Sequence, residues 1–138
     1  MEKDRVVIDT TVWLHGIHKG KHEKFVKLAV DAGVVIYTCD ELSSEVIKNL
    51  RTNPYFKKHI SAPQEHIDFF EAITLHTTID KRFDRAADIK DNYLFDLAYT
   101  TKSFYVVTSE YKLLNMKRVN KMNIISPTAF FDLFNIKW

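Results

Sequence analysis

At 138 residues the chain fits one domain and leaves no room for a second core of ordinary size. A content of 46% hydrophobic and 28% charged residues excludes chain-wide disorder, and a single cysteine, Cys39, excludes an internal disulfide. The net charge of +2 neither identifies nor excludes a nucleic-acid binder, and no stretch approaches the roughly 18 apolar residues of a membrane span.

The N-terminal Met1-Glu2-Lys3-Asp4-Arg5 lacks the charged-then-apolar layout of a secretory signal, and a lone thiol fits a reducing compartment. A cytoplasmic protein is therefore expected. Along the chain, short apolar runs alternate with amphipathic segments. Arg5–Ile8 is a β-branched run ending at Asp9. The period of Phe25, Leu28, Ala29 and Ala32 predicts a helix that Gly33 stops, after three histidines at His15, His18 and His22. Val34–Thr38 predicts a second strand, and Leu42, Val46, Ile47 and Leu50 mark the helix after it. Pro63 opens a helix carrying Phe69, Phe70 and Ile73, and Thr77–Ile79 is a weak strand candidate. Leu94, Leu97, Ala98 and Thr101 repeat the helical spacing before the strand Phe104–Thr108. Asn123–Ile125 is a last strand, and Ser126-Pro127 supplies a cap and a first-turn proline for a closing helix. Runs this short and apolar on both faces suit a parallel sheet, here a single α/β domain with helices on both faces.

Ligands bind such sheets beyond the carboxyl ends of the strands. Four acids fall there or nearby: Asp9 after the first strand, Glu45 in the helix after the second, Asp91 at a helix start and Glu110 after a late strand. Each has a purely structural alternative. Asp9 can cap a helix, Asp88 and Asp91 can form a capping-box-like pair, and Glu45 can pair with Lys48. Glu110 can sit in a first turn capped by Ser109. Taken together the acids favour a cation instead, because clustered carboxylates repel one another. An all-oxygen set suits Mg²⁺ or Mn²⁺, which activate water and offset charge on a phosphodiester.

The segments bearing these acids resemble the motifs of PIN domains. Val7-Ile8-Asp9-Thr10-Thr11-Val12 is similar to the opening motif, usually Asp-Thr-Asn followed by an apolar residue. Cys39–Val46, with Glu45, resembles the second motif, and Asp91–Ala98 the third. Val106-Val107-Thr108-Ser109-Glu110-Tyr111-Lys112-Leu113-Leu114 resembles the fourth, usually Val-Thr-Gly-Asp before a Leu-Leu pair. The ending from Ile125 to Phe130 is similar to the closing strand and helix. The resemblance covers roughly residues 5 to 134. It implies a three-layer α/β/α domain with a five-stranded parallel sheet in order 3-2-1-4-5, and a metal-dependent ribonuclease of the bacterial VapC-type toxin kind. Asp9, Glu45, Asp91 and Glu110 would bind Mg²⁺ or Mn²⁺ and carry catalysis. Thr10, Thr11, Thr108, Ser109 and Lys112 would contact substrate. RNA, an antitoxin protein and a second copy of the chain are the implied partners.

Two positions depart from the pattern: Thr11 stands where an Asn usually orients the first Asp, and Glu110 is one methylene longer than the usual Asp. These departures favour a rival reading, a catalytically weak or inactive RNA-binding module. Glu41, one turn before Glu45, competes for its role. The histidine spacing of i, i+3 and i+7 invites a zinc face, but Gly16 and Gly20 are expected to interrupt the helix. Surface or RNA-facing histidines are the reading taken. Basic residues group at Lys19, Lys21, Lys24 and Lys27, at Lys57 and Lys58, and at Lys112, Lys117, Arg118 and Lys121.

Overall fold

A computed structural model describes residues 4–79 and 91–138. Strand β1 (Arg5–Ile8) is followed by helix α1 (Thr10–His18) and helix α2 (His22–Val26), which runs on as a π-helical turn (Lys27–Asp31). Strand β2 (Val35–Thr38) leads to α3 (Asp40–Thr52), α4 (Pro54–His59) and α5 (Pro63–Ile73), then to β3 (Leu75–His76). After residues 80–90 come α6 (Asn92–Thr101), β4 (Tyr105–Val107), α7 (Tyr111–Leu114), β5 (Arg118–Val119), β6 (Met122–Ile125) and α8 (Pro127–Asp132).

The sheet order is β3-β2-β1-β4-β6-β5. β1 is central, paired in parallel with β2 and with β4, where Val7 stands opposite Val106. The first five strands of that order are parallel and follow the expected sequence of pairings. The sixth is the difference: β5 adds as an antiparallel edge, with Val119 opposite Met122. It turns through Asn120 at φ 55°, a left-handed conformation that Asn accepts more readily than most residues. The weak strand candidate at Thr77–Ile79 also shifts. The bridge forms at Leu75 and His76 against Tyr37 and Thr38, and Thr77 follows it, donating its amide to the Thr38 carbonyl at 2.9 Å.

Alternate residues of the central strands feed two cores. Val6, Ile8, Ile36 and Val107 pack with Trp13, Phe25, Phe70 and Phe130 on one face. Val7, Val106 and Ile124 pack with Leu94, Phe95, Leu97 and Leu113 on the other. The result is three layers, with α1, α2, α5 and α8 against one side of the sheet and α6 and α7 against the other. The π turn explains one miss in the helix stripe. It closes from the Ala32 amide to the Lys27 carbonyl (3.0 Å), so fewer degrees of rotation accrue per residue. Phe25 and Leu28 stay buried while Ala32 swings out to solvent.

Gly16 does not interrupt α1 but lies buried within it. A Cβ there would come within 2.7 Å of the Phe25 ring and 3.0 Å of the Trp138 ring, so the close approach of those rings requires glycine. Cys39 is buried, and burial pushes its thiol up to about 11, well away from a reactive thiolate. Among the described residues no helix is long and apolar enough to cross a membrane.

Candidate active site

Two of the expected acids, Asp9 and Glu45, are held by two threonines and a tyrosine. Asp9 leaves β1 in an extended conformation and becomes the N-cap of α1. One of its carboxylate oxygens accepts from the Thr10 amide at 2.7 Å, and the other accepts from the Thr108 hydroxyl at 2.8 Å. Parallel pairing makes the second bond possible, because β4 runs beside β1 and delivers Thr108 one residue beyond Val107. The Thr108 oxygen also accepts the Glu110 amide at 3.0 Å, which ties the fourth acid's backbone to the first acid's carboxylate. The Thr10 hydroxyl donates to a carboxylate oxygen of Glu45 at 2.8 Å, and the Tyr93 hydroxyl donates to the same oxygen at 3.1 Å. Glu45 thus bridges α3 to the start of α1 and α6. It is not engaged with Lys48.

Asp91 is buried at the N-terminal end of α6, two residues before Tyr93. Asp88 lies outside the described residues. Glu110 precedes α7 with an extended backbone, and no side chain caps that helix, so the alternative of a Ser109 cap does not form. Glu41 faces elsewhere. It lines a small hollow of about 120 Å³ with Cys39, Asp40, Thr77 and Thr78, which leaves Glu45 as the α3 acid at the site.

Burial raises the Asp9 carboxyl from 3.8 to about 6. The hydrogen bonds from Thr108 and Thr10 pull it down, and the charges of Glu110 and Glu45 push it further up. Burial also holds the Tyr93 phenol far above its ordinary range, helped by the Glu45 and Asp9 charges. Tyr93 is therefore a neutral donor at any physiological pH. Sequence reasoning missed it. The signal was its place in the third motif, two residues after an acid at a helix start.

Two of the residues expected to contact substrate turn their hydroxyls to the acids. Thr108 is fully buried and Thr10 nearly so, and both hydroxyls are engaged by carboxylates. Each holds one of the two carboxylates in place. Thr108 and the Thr10 amide do for Asp9 what the resemblance assigns to an Asn at position 11. Thr11, Ser109 and Lys112 are exposed around the acids, where a substrate can reach them.

Among the described residues no three of His, Cys, Asp and Glu form a ready cage for an ion. Mg²⁺ needs none, since it keeps several waters and is held through one or two carboxylates plus substrate phosphates. The donors fit such a hydrated ion. They are all oxygens, their mutual repulsion already raises Asp9, and each Asp9 oxygen keeps a lone pair beyond its present bond. The three histidines do not converge. His15 faces Trp138, His18 packs by Tyr55, Phe56 and His59, and His22 hydrogen-bonds His66 at 3.0 Å.

The family model of the PIN domain matches residues 5–112, a span that holds all four acids, and the chain belongs to that family. PIN domains are typically nucleases. No curated protein and no solved structure matches the chain.

Proposed function

We propose that the chain is a metal-dependent endoribonuclease and the toxin of a toxin–antitoxin pair. The observation that carries the reading is the bonded series Thr108–Asp9–Thr10–Glu45–Tyr93, which fixes two carboxylates from separate elements at the carboxyl end of β1. Asp9, Glu45, Asp91 and Glu110 would hold Mg²⁺ or Mn²⁺. Bound there, the ion supplies activation of water and neutralisation of charge on the phosphodiester. Thr108 and Thr10 keep the Asp9 carboxylate oriented, and Tyr93 keeps Glu45 turned into the site. Exposed Thr11, Ser109 and Lys112 meet the RNA backbone.

The test is cleavage of single-stranded RNA by the purified chain with Mn²⁺, with Mg²⁺ and with chelator. Cleavage should need the metal and vanish in Asp9→Asn. Thr108→Val should cut more slowly by about 10- to 100-fold, the usual cost of losing a group that orients a ligand. RNA binding without cleavage would favour the inactive module, for which the extra methylene of Glu110 speaks. Hydrolysis of small phosphate esters alone would overturn the ribonuclease. Growth arrest on expression, relieved by a co-expressed neighbouring gene product, would support the toxin role. Sedimentation of the pure chain would show whether it pairs with itself.

A further inference from the structure

The second site of interest lies at the other end of the sheet. A cleft of about 750 Å³ opens at the amino ends of β4 and β6, lined by Tyr99, Lys102, Phe104, Asn120, Lys121 and Met122 among others. Phe104 is 53% exposed and Tyr99 44%, large fractions for aromatic rings beside a cleft. None of the described residues lining it is acidic.

The hairpin edge joins this cleft to the acids. Lys112 stands on α7, just beyond the carboxyl end of β4. The Lys117 carbonyl accepts from the Ile124 amide at 2.9 Å, Arg118 stands opposite Asn123, and Lys121 lies in the turn before Met122. The register therefore sets four exposed cations at successive levels, from the acidic end of the sheet down to the cleft. Among the described residues none of the four is in an ion pair. The descent from Thr108 to Phe104 is four residues of strand, about 13 Å at about 3.3 Å each.

We propose that this edge and cleft form an RNA exosite: a single strand held at the acids runs down the cationic hairpin and stacks a base on Phe104. Cations spaced along an edge with a flat exposed ring at its end are what an unpaired strand requires, because phosphates meet the lysines and every base has a face to stack. An acidic protein segment would satisfy the lysines but would leave the exposed Phe104 ring uncovered. The inference rests on the ribonuclease reading and extends it to substrate length.

The experiment compares a dinucleotide with a single-stranded oligoribonucleotide of about 16 nucleotides, the upper end of common binding-site sizes. Cleavage, and binding in chelator, are measured for wild type, Phe104→Ala and Lys121→Ala, with melting curves as the control for folding. Wild type should have a lower KM for the long strand. Phe104→Ala should raise that KM by about tenfold, the scale of one lost stacked base, Lys121→Ala should raise it through a lost phosphate contact, and both should leave dinucleotide cleavage and the melting curve as they were. Lys121→Ala should also flatten the dependence of log affinity on log salt by about 0.7. Equal KM for both lengths, or variants that handle the long strand like wild type, would overturn the exosite and leave the ribonuclease standing. No cleavage or binding of either RNA by wild type would overturn both.

Discussion

Asp9 is asked to be two things at once. It caps a helix and it stands among like charges in a buried place. The balance shows in its carboxyl, raised by burial from 3.8 to about 6. A raised value means the folded chain binds that proton more tightly than the unfolded chain does. The Asp9 contribution to stability is therefore greatest below pH about 4. It declines as pH rises through about 6, by on the order of 3 kcal/mol in all. Melting curves in chelator should show wild type losing more stability than Asp9→Asn between about pH 3.5 and about pH 7.5, which bracket about 4 to 6. Parallel curves for the two proteins would mean that the Asp9 carboxylate is not strained. The positions of Asp9 and Glu110 at the carboxyl ends of β1 and β4 could be read from sequence, because each follows a β-branched run. The roles of Thr10, Thr108 and Tyr93 could not, since a hydroxyl carries no sign of whether it faces water or a carboxylate.

At the scale of elements, what was readable depended on length. β1, β2, β4 and β6 announce themselves through apolar runs, and α8 through its Ser126 cap, whose hydroxyl accepts from the Ala129 amide at 3.2 Å. β3 and β5 are two residues each, too short to show any period. Gly16 misled for a related reason: a glycine in a helix looks like a break until the neighbour that needs the space is known. That neighbour is Phe25, stacked on Trp13 with ring centroids 4.3 Å apart, with Trp138 edge-on at 5.6 Å. Gly16→Ala gains helix propensity of up to about 1 kcal/mol but drives a methyl into a packed ring, which costs about 1–3 kcal/mol. We expect net destabilisation of about 1–2 kcal/mol in urea titration with metal-dependent cleavage retained. A variant as stable as wild type would show that Phe25 moves aside freely.

For the whole molecule, the candidate metal is also a clamp. The acids proposed to hold it follow β1, lie on α3, precede α6 and follow β4, so only the folded chain would present them together. A ligand bound by the native state alone stabilises it by about 2.7 kcal/mol at a hundredfold excess over Kd. For a domain near this size that is about 8 °C in Tm. Mn²⁺ should give wild type that rise and Asp9→Asn little of it. Equal response, or none in wild type, would place the metal elsewhere or remove it from the account.

The bond between Asp9 and Thr108 spans 99 residues of chain. Synthesis proceeds at about 5–20 residues per second, so roughly 5 to 20 seconds pass between the making of the first carboxylate and the making of the hydroxyl that orients it. Through that interval β1 has β2 to pair with but not β4, and Asp9 has no partner on its outer oxygen. The ribonuclease proposed above would be a hazard to the message that encodes it. In this topology the fourth acid and the threonine that aligns the first arrive together, late in translation, so a partly made chain carries its acids without an assembled site.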